Sequence, residues 1–138
     1  PMLEAISRMG FHSATHYQTC GIVNVNRDYA ETLPDIAKEW KRLDEELSLP
    51  FYPGISVGWD TQPRFLTPKN NVCKNNTPEE VKKGFLMARD YVDGHPNLEK
   101  PLIIINSWNE WTETSYLQPC DRFGYGYLEV CRAVFGDK

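Results

Sequence analysis

The chain has 138 residues, with 15 Lys+Arg against 19 Asp+Glu for a formal charge of -4 and 41% hydrophobic residues; this fits one globular domain or part of a larger one and excludes wholesale disorder. No stretch approaches the ~20 consecutive apolar residues of a membrane span, and no Lys/Arg cluster offers a phosphate-binding surface, so neither a bilayer nor nucleic acid is expected as a partner. The 4 Trp, 7 Tyr and 6 Phe suit either a large-residue core or platforms for a planar or sugar-like ligand.

In chain order, Leu3 to Met9 reads as a helix tail closed by Gly10. Ser13 to Thr19 alternates small or β-branched with larger residues and predicts a first strand. Tyr29, Leu33, Ile36, Trp40, Leu43 and Leu47 recur at steps of three and four, along one face of a helix ending before Pro50, with Pro34 limiting how early it begins. Phe51 to Trp59 is a second strand candidate, punctuated by Pro53 and Gly54. A long polar loop then runs to about Asn76.

Thr77-Pro78-Glu79-Glu80 supplies an N-cap, a proline at the first helical position and a glutamate at the third, opening a helix whose face is Val81, Phe85, Ala88 and Val92. The same Thr77 completes an Asn75-Asn76-Thr77 sequon, for which capping is the better structural use. Leu102 to Ile105 is continuously apolar, as expected for a parallel strand covered on both faces. Tyr127, Leu128, Cys131, Val134 and Phe135 mark a last helix before Gly136. Cys20, Cys73, Cys120 and Cys131 are widely spaced, with no C-x-x-C pair and no clustered histidines, so they read as mostly buried thiols rather than zinc ligands. No signal peptide is visible at the start of the chain.

Three consecutive βα units without a glycine-rich phosphate loop favour a (β/α)8 barrel over an open doubly wound sheet. A whole barrel takes about 250 residues. The expectation is therefore an α/β fold in which residues 1–138 are the C-terminal three βα units of a TIM barrel, one catalytic domain whose N-terminal part lies elsewhere. The three strands should be adjacent and parallel, with the polar residues after each strand facing a common site.

Two clusters follow strands. Asn106-Ser107-Trp108-Asn109-Glu110-Trp111-Thr112-Glu113-Thr114-Ser115-Tyr116 gathers carboxylates, amides, indoles and a phenol. Glu110 and Glu113, three apart, would point to one side of a helical turn, where repulsion raises at least one carboxyl into the acid range. A solvated loop with a capping carboxylate is the plainer alternative. In Gly58-Trp59-Asp60-Thr61-Gln62-Pro63-Arg64, Trp59 could stack on a sugar ring and Asp60 hold a hydroxyl, or Asp60 and Arg64 could merely pair. Tyr17 could bind a hydroxyl or pack in the core.

These runs, with Tyr116-Leu117-Gln118-Pro119 and Gly124-Tyr125-Gly126-Tyr127-Leu128-Glu129, resemble the C-terminal signature of WbsX-like proteins, the glycoside hydrolase family 99-like group. Gly58 to Arg64 looks like that group's Gly-Trp-Asp-x-x-Pro-Arg segment, and Met9-Gly10-Phe11 with Tyr17 is similar too. The resemblance spans nearly the whole chain. It implies a barrel acting on a glycan or polysaccharide, with no cofactor or metal. Glu110 and Glu113 map onto the catalytic pair of endo-α-mannosidases, which retain configuration through a 1,2-anhydro sugar. Glu110 would take the proton of the 2-hydroxyl, and Glu113 would protonate the leaving oxygen. Tyr17, Trp59, Asp60, Arg64, Asn109, Trp111 and Tyr116 are the expected substrate-binding residues.

This sequence departs from the group at Thr114, usually Gly, at Gln118, commonly Glu, and at His12, usually Asp. The group also includes proteins labelled glycosyltransferases of surface-polysaccharide synthesis, so transfer stands beside hydrolysis as an alternative, and a non-catalytic carbohydrate-binding barrel is a third. Hydrolysis would suit a periplasmic or secreted protein and synthesis a cytoplasmic one. The piece alone is expected to be inactive.

Overall fold

The computed structural model describes residues 2–65 and 71–136. The middle of the polar loop, 66–70, lies outside the described residues. Helix α1 (Met2–Arg8) ends just before Gly10, whose φ of +80° is a left-handed turn that glycine enters freely. Helix α2 (Tyr29–Glu46) buries Tyr29, Leu33, Ile36, Trp40 and Leu43, the face expected from the spacing.

Pro34 does not limit where α2 begins, contrary to expectation, and lies inside the helix. The first turn is anchored from outside. The Tyr29 N–H donates to the Lys74 carbonyl at 2.8 Å, and its hydroxyl donates to the Ser56 carbonyl at 3.0 Å. With the start fixed by these bonds, the helix accommodates a proline that on propensity alone belongs in its first turn.

Strand β1 (Gly54–Ser56) pairs in parallel with β2 (Ile104–Asn106), Ile55 opposite Ile105. The expected first strand is reduced to one parallel bridge between Ala14 and Phe51, made by Ala14 N–H to Pro50 O and Tyr52 N–H to Ala14 O, both 2.9 Å. Beyond it the chain leaves the ladder, because the Thr19 N–H turns to the Ser56 hydroxyl at 3.1 Å and Thr19–Gly21 form a 3-10 turn. Glycine is required at position 54: a Cβ there would lie 2.6 Å from the His16 carbonyl. The three segments thus run parallel in the order Ala14, β1, β2, with α2 and α3 intervening along the chain.

Helix α3 (Pro78–Asp93) starts as its sequence predicts, with the Thr77 hydroxyl accepting from the Glu80 N–H at 3.4 Å. It packs against β1 and lies between α2 and α4 (Gly126–Phe135). Phe85, Val81 and Ile55 are almost wholly buried, each contributing about 1.5–3 kcal/mol on leaving water. β1 is buried throughout, but β2 is not covered on both faces as expected: Ile104 and Ile105 are half-buried. Among the described residues β2 is paired along one edge only. The cysteines are free, and Cys73 alone is fully buried, the other three being half-buried. No described helix is long and apolar enough to cross a membrane.

Candidate functional site

The chain beyond β2 forms a hairpin that the residue spacing did not foretell. Strand β3 (Asn109–Glu110) pairs antiparallel with β4 (Ser115–Tyr116), and Trp111–Glu113 make one turn of 3-10 helix at the tip. Glu110 ends β3 and Glu113 ends the turn, and their carboxylates lie close enough to share one guanidinium.

A buried polar network holds the hairpin to the strand ends. The Asn106 side-chain oxygen accepts from the Ser56 hydroxyl at 3.0 Å and the Ser115 hydroxyl at 3.1 Å. The Ser107 hydroxyl donates to the Ser115 carbonyl at 2.8 Å and accepts from the Glu110 N–H at 3.2 Å. Asn106, Ser56 and Ser115 are at most 2% exposed, so these bonds satisfy oxygens that would be costly to bury unpaired, while Asn106 Nδ2 is buried without a partner.

Arg64 comes from the 3-10 turn Gln62–Arg64 that follows β1, and spends its whole fork on the hairpin tip. Its Nη1 donates to Glu113 Oε1 at 2.7 Å, its Nη2 to Glu110 Oε1 at 3.0 Å and its Nε to Thr112 Oγ1 at 2.7 Å. Thr112 in turn donates to Glu110 Oε1 at 2.7 Å. The expected rise in a carboxyl by mutual repulsion is therefore not found at Glu110. The Thr112 hydroxyl first, and the Arg64 charge after it, hold its pKa below the ordinary value. The alternative pairing of Asp60 with Arg64 does not form either: Asp60 Oδ1 accepts from the Gln62 N–H at 2.8 Å.

Glu113 is 5% exposed. Its second oxygen, Oε2, accepts from Gln18 Nε2 at 2.9 Å, across 95 positions of sequence. Gln18 is the residue that sequence reasoning missed, and its only signal was its place beside Tyr17 near the end of the expected first strand. The Cys20 thiol donates to Gln18 Oε1 at 3.4 Å. Burial, and then the nearby Glu113 charge, push that thiol up to about 11.

The remaining expected residues divide. Asp60 is brought to the pair through its backbone, its N–H donating to the Glu113 carbonyl at 2.7 Å. Trp59 is half-buried against the core, which takes part of its surface. Tyr17 is 63% exposed, one residue before Gln18. Asn109 is exposed on β3, opposite Tyr116. Trp111 stacks on Tyr116, ring centroids 3.8 Å apart, and its indole N–H donates to Gln118. The Tyr116 phenol is pushed up to about 12, chiefly by burial. One indole face is thus spent on Tyr116, while Trp111 as a whole is 43% exposed. The assembled cluster can hold and exchange a proton between oxygen atoms beside exposed aromatic surface. Among the described residues no group of His, Cys, Asp and Glu is arranged to hold a metal ion.

Comparison with known proteins finds that residues 4–131 match a family model described as Glycosyltransferase WbsX. Two curated proteins from Xanthomonas campestris pv. campestris strains, each described as an uncharacterized protein WxcX, are 26% identical over 114 residues. The match covers 78% of this chain and 16% of each relative, so the chain spans about a sixth of their length. No solved structure matches.

Proposed function

The chain belongs to the glycosyltransferase WbsX family, and from that premise we propose that residues 1–138 are the C-terminal part of a (β/α)8 domain that cleaves an α-linked, mannose-type glycan with retention. The observation supporting this is the carboxylate pair, Glu110 and Glu113, held by one guanidinium just past the end of β2. The parallel order of Ala14, β1 and β2 is what a barrel segment requires.

Within this reading Glu110 is the base. It is the more exposed of the two carboxylates, and its Oε2 has no hydrogen-bond partner among the described residues, leaving a lone pair for a substrate 2-hydroxyl. Glu113 is the acid that protonates the departing oxygen and later activates water. Tyr17, Trp59, Asp60, Asn109, Trp111 and Tyr116 supply ring-stacking and hydroxyl contacts.

The experiment uses the longer protein, an α-linked manno-oligosaccharide and its 2-deoxy analogue, with the product anomer followed by NMR. Turnover with retention, lost on the 2-deoxy substrate and in Glu110→Gln, is the expected result. Inversion, or a glycosyl ester on Glu110, overturns the role given to that residue. A second reading is favoured by the description of the family as a glycosyltransferase: transfer from an activated sugar donor in cytoplasmic polysaccharide synthesis. Donor consumption that depends on an acceptor, without glycan hydrolysis, would select it.

A further inference from the structure

We propose that Arg64 is a positioning residue that sets the proton distribution of the Glu110–Glu113 pair, holding both as anions while it bridges them and letting Glu113 take a proton when it withdraws. This deepens the reading above, which gave Arg64 no part in the proton transfer. Three observations carry it.

The first is saturation. Both oxygens of Glu113 are engaged by donors, Arg64 Nη1 at 2.7 Å and Gln18 Nε2 at 2.9 Å. With a donor on each oxygen the ionised form serves as acceptor in both bonds, and withdrawal of the charged donor frees a further lone pair and removes the charge that favours the anion. The second is accessibility. Arg64 has 38% of its side chain exposed and Glu113 only 7%, so a ligand arriving from solvent meets the guanidinium before the buried carboxyl. Of the two donors on Glu113, Arg64 is the charged one, and it comes from the 3-10 turn after β1.

The third is the charge balance. The groups facing Glu113 are Gln18 and Cys20 from the segment after Ala14, Arg64 and the Asp60 backbone from the loop after β1, and Glu110 from its own hairpin. Arg64 is the one cation among them. Two carboxylates against one guanidinium leave a net charge of about -1. With Arg64 gone the repulsion between the glutamates is uncompensated, and the buried one, poorly solvated, takes up the proton. Binding of substrate hydroxyls to the guanidinium would thus convert a latched carboxylate into a general acid in one displacement.

The test is a carboxyl titration by carbon-13 NMR on protein labelled at glutamate, in the unsubstituted chain and in Arg64→Met and Arg64→Lys. In Arg64→Met the Glu113 resonance should titrate about one pH unit or more higher, a tenfold gain in proton affinity. Arg64→Lys should shift it less, because one ammonium supplies charge but cannot fork to both carboxylates. Amide shifts of Trp111 to Ser115 report whether the hairpin persists. An unmoved Glu113 titration in a folded Arg64→Met chain overturns the proposal. Should that variant unfold, the lysine variant decides: at least one glutamate must titrate higher than in the unsubstituted chain, and neither moving overturns it. Failure of the glycan assay with a shifted Glu113 titration would instead refute the proposed function and leave the role of Arg64 standing.

Discussion

The backbone N–H of Asp60 donates to the carbonyl oxygen of Glu113 at 2.7 Å, binding the loop after β1 to the tip of the hairpin after β2. The approach is so close that glycine is needed two residues earlier. A Cβ on Gly58 would lie 2.4 Å from the Thr114 carbonyl and 2.4 Å from the Asn76 side-chain nitrogen. Asn76 could swing away only by giving up its bond to the Val57 carbonyl, and a backbone carbonyl can yield only by moving the hairpin.

Gly58→Ala is therefore expected to destabilise the chain by about 1–3 kcal/mol and to displace Glu113 from Arg64. Chemical denaturation reads the first effect and hairpin amide shifts the second. A neutral substitution with unchanged shifts would show that the two loops are not coupled through this contact.

Thr114 offers the opposite experiment. It ends the 3-10 turn at φ 53°, ψ 34°, a left-handed conformation disfavoured for a β-branched residue by about 1–2 kcal/mol. Its hydroxyl recovers little, through a 3.4 Å contact to the Asp60 carbonyl. Thr114→Gly removes the strain but loosens the unfolded chain, so a net stabilisation of about 0.5–1 kcal/mol is expected. A lower denaturation midpoint in the glycine variant would show that the threonine side chain contributes more than its conformation costs.

Helix α3 was legible because Thr77, Pro78 and Glu80 carry their capping chemistry at fixed local offsets, and the buried face of α2 because its period survives over 18 residues. The hairpin was not, since strands of two residues around a 3-10 turn have no periodicity to detect. Glu110 and Glu113 could be singled out by their spacing. Their pairing partners could not: Arg64, expected to bind substrate or to pair with Asp60, reaches the glutamates instead, and Gln18 meets Glu113 only through the tertiary fold. The left-handed turn at Thr114 lay between these cases, visible as a departure from glycine but given its cause only by the backbone.

His16 predicts how stability changes with acid. Trp40 donates its indole N–H to His16 Nε2 at 2.8 Å, which requires a neutral ring with its proton on Nδ1, and that nitrogen is buried without a partner. Burial lowers the His16 pKa from 6.5 to about 4. Between those values the unfolded chain binds a proton that the folded chain does not, so stability present above pH 6.5 is lost as pH falls toward 4. The loss approaches about 1.4 kcal/mol per pH unit within the window. His16→Gln keeps an acceptor for Trp40 and should flatten the difference between urea midpoints at about pH 7 and pH 5. An equally steep dependence in the variant would assign it to other groups.

For Glu113 the acid role makes a prediction that separates chemistry from architecture, in the longer protein acting on a glycan. Glutamine at this position keeps an oxygen that can accept from Arg64, while the Gln18 amide can turn over to meet the new NH2 with its own oxygen. Glu113→Gln should therefore preserve the hairpin and remove only the transferable proton. Alkoxide leaving groups need that proton in the transition state, and general acid catalysis commonly supplies a factor of about 10²–10⁴. Activated aryl leaving groups depart as stable phenolates and need it little. The variant should consequently lose kcat/KM by about that factor on an oligosaccharide and far less on a nitrophenyl glycoside in the glycosylation step. Equal losses on both substrates would make Glu113 a buried anchor for Arg64 and Gln18 and would leave the proton donor to be sought elsewhere.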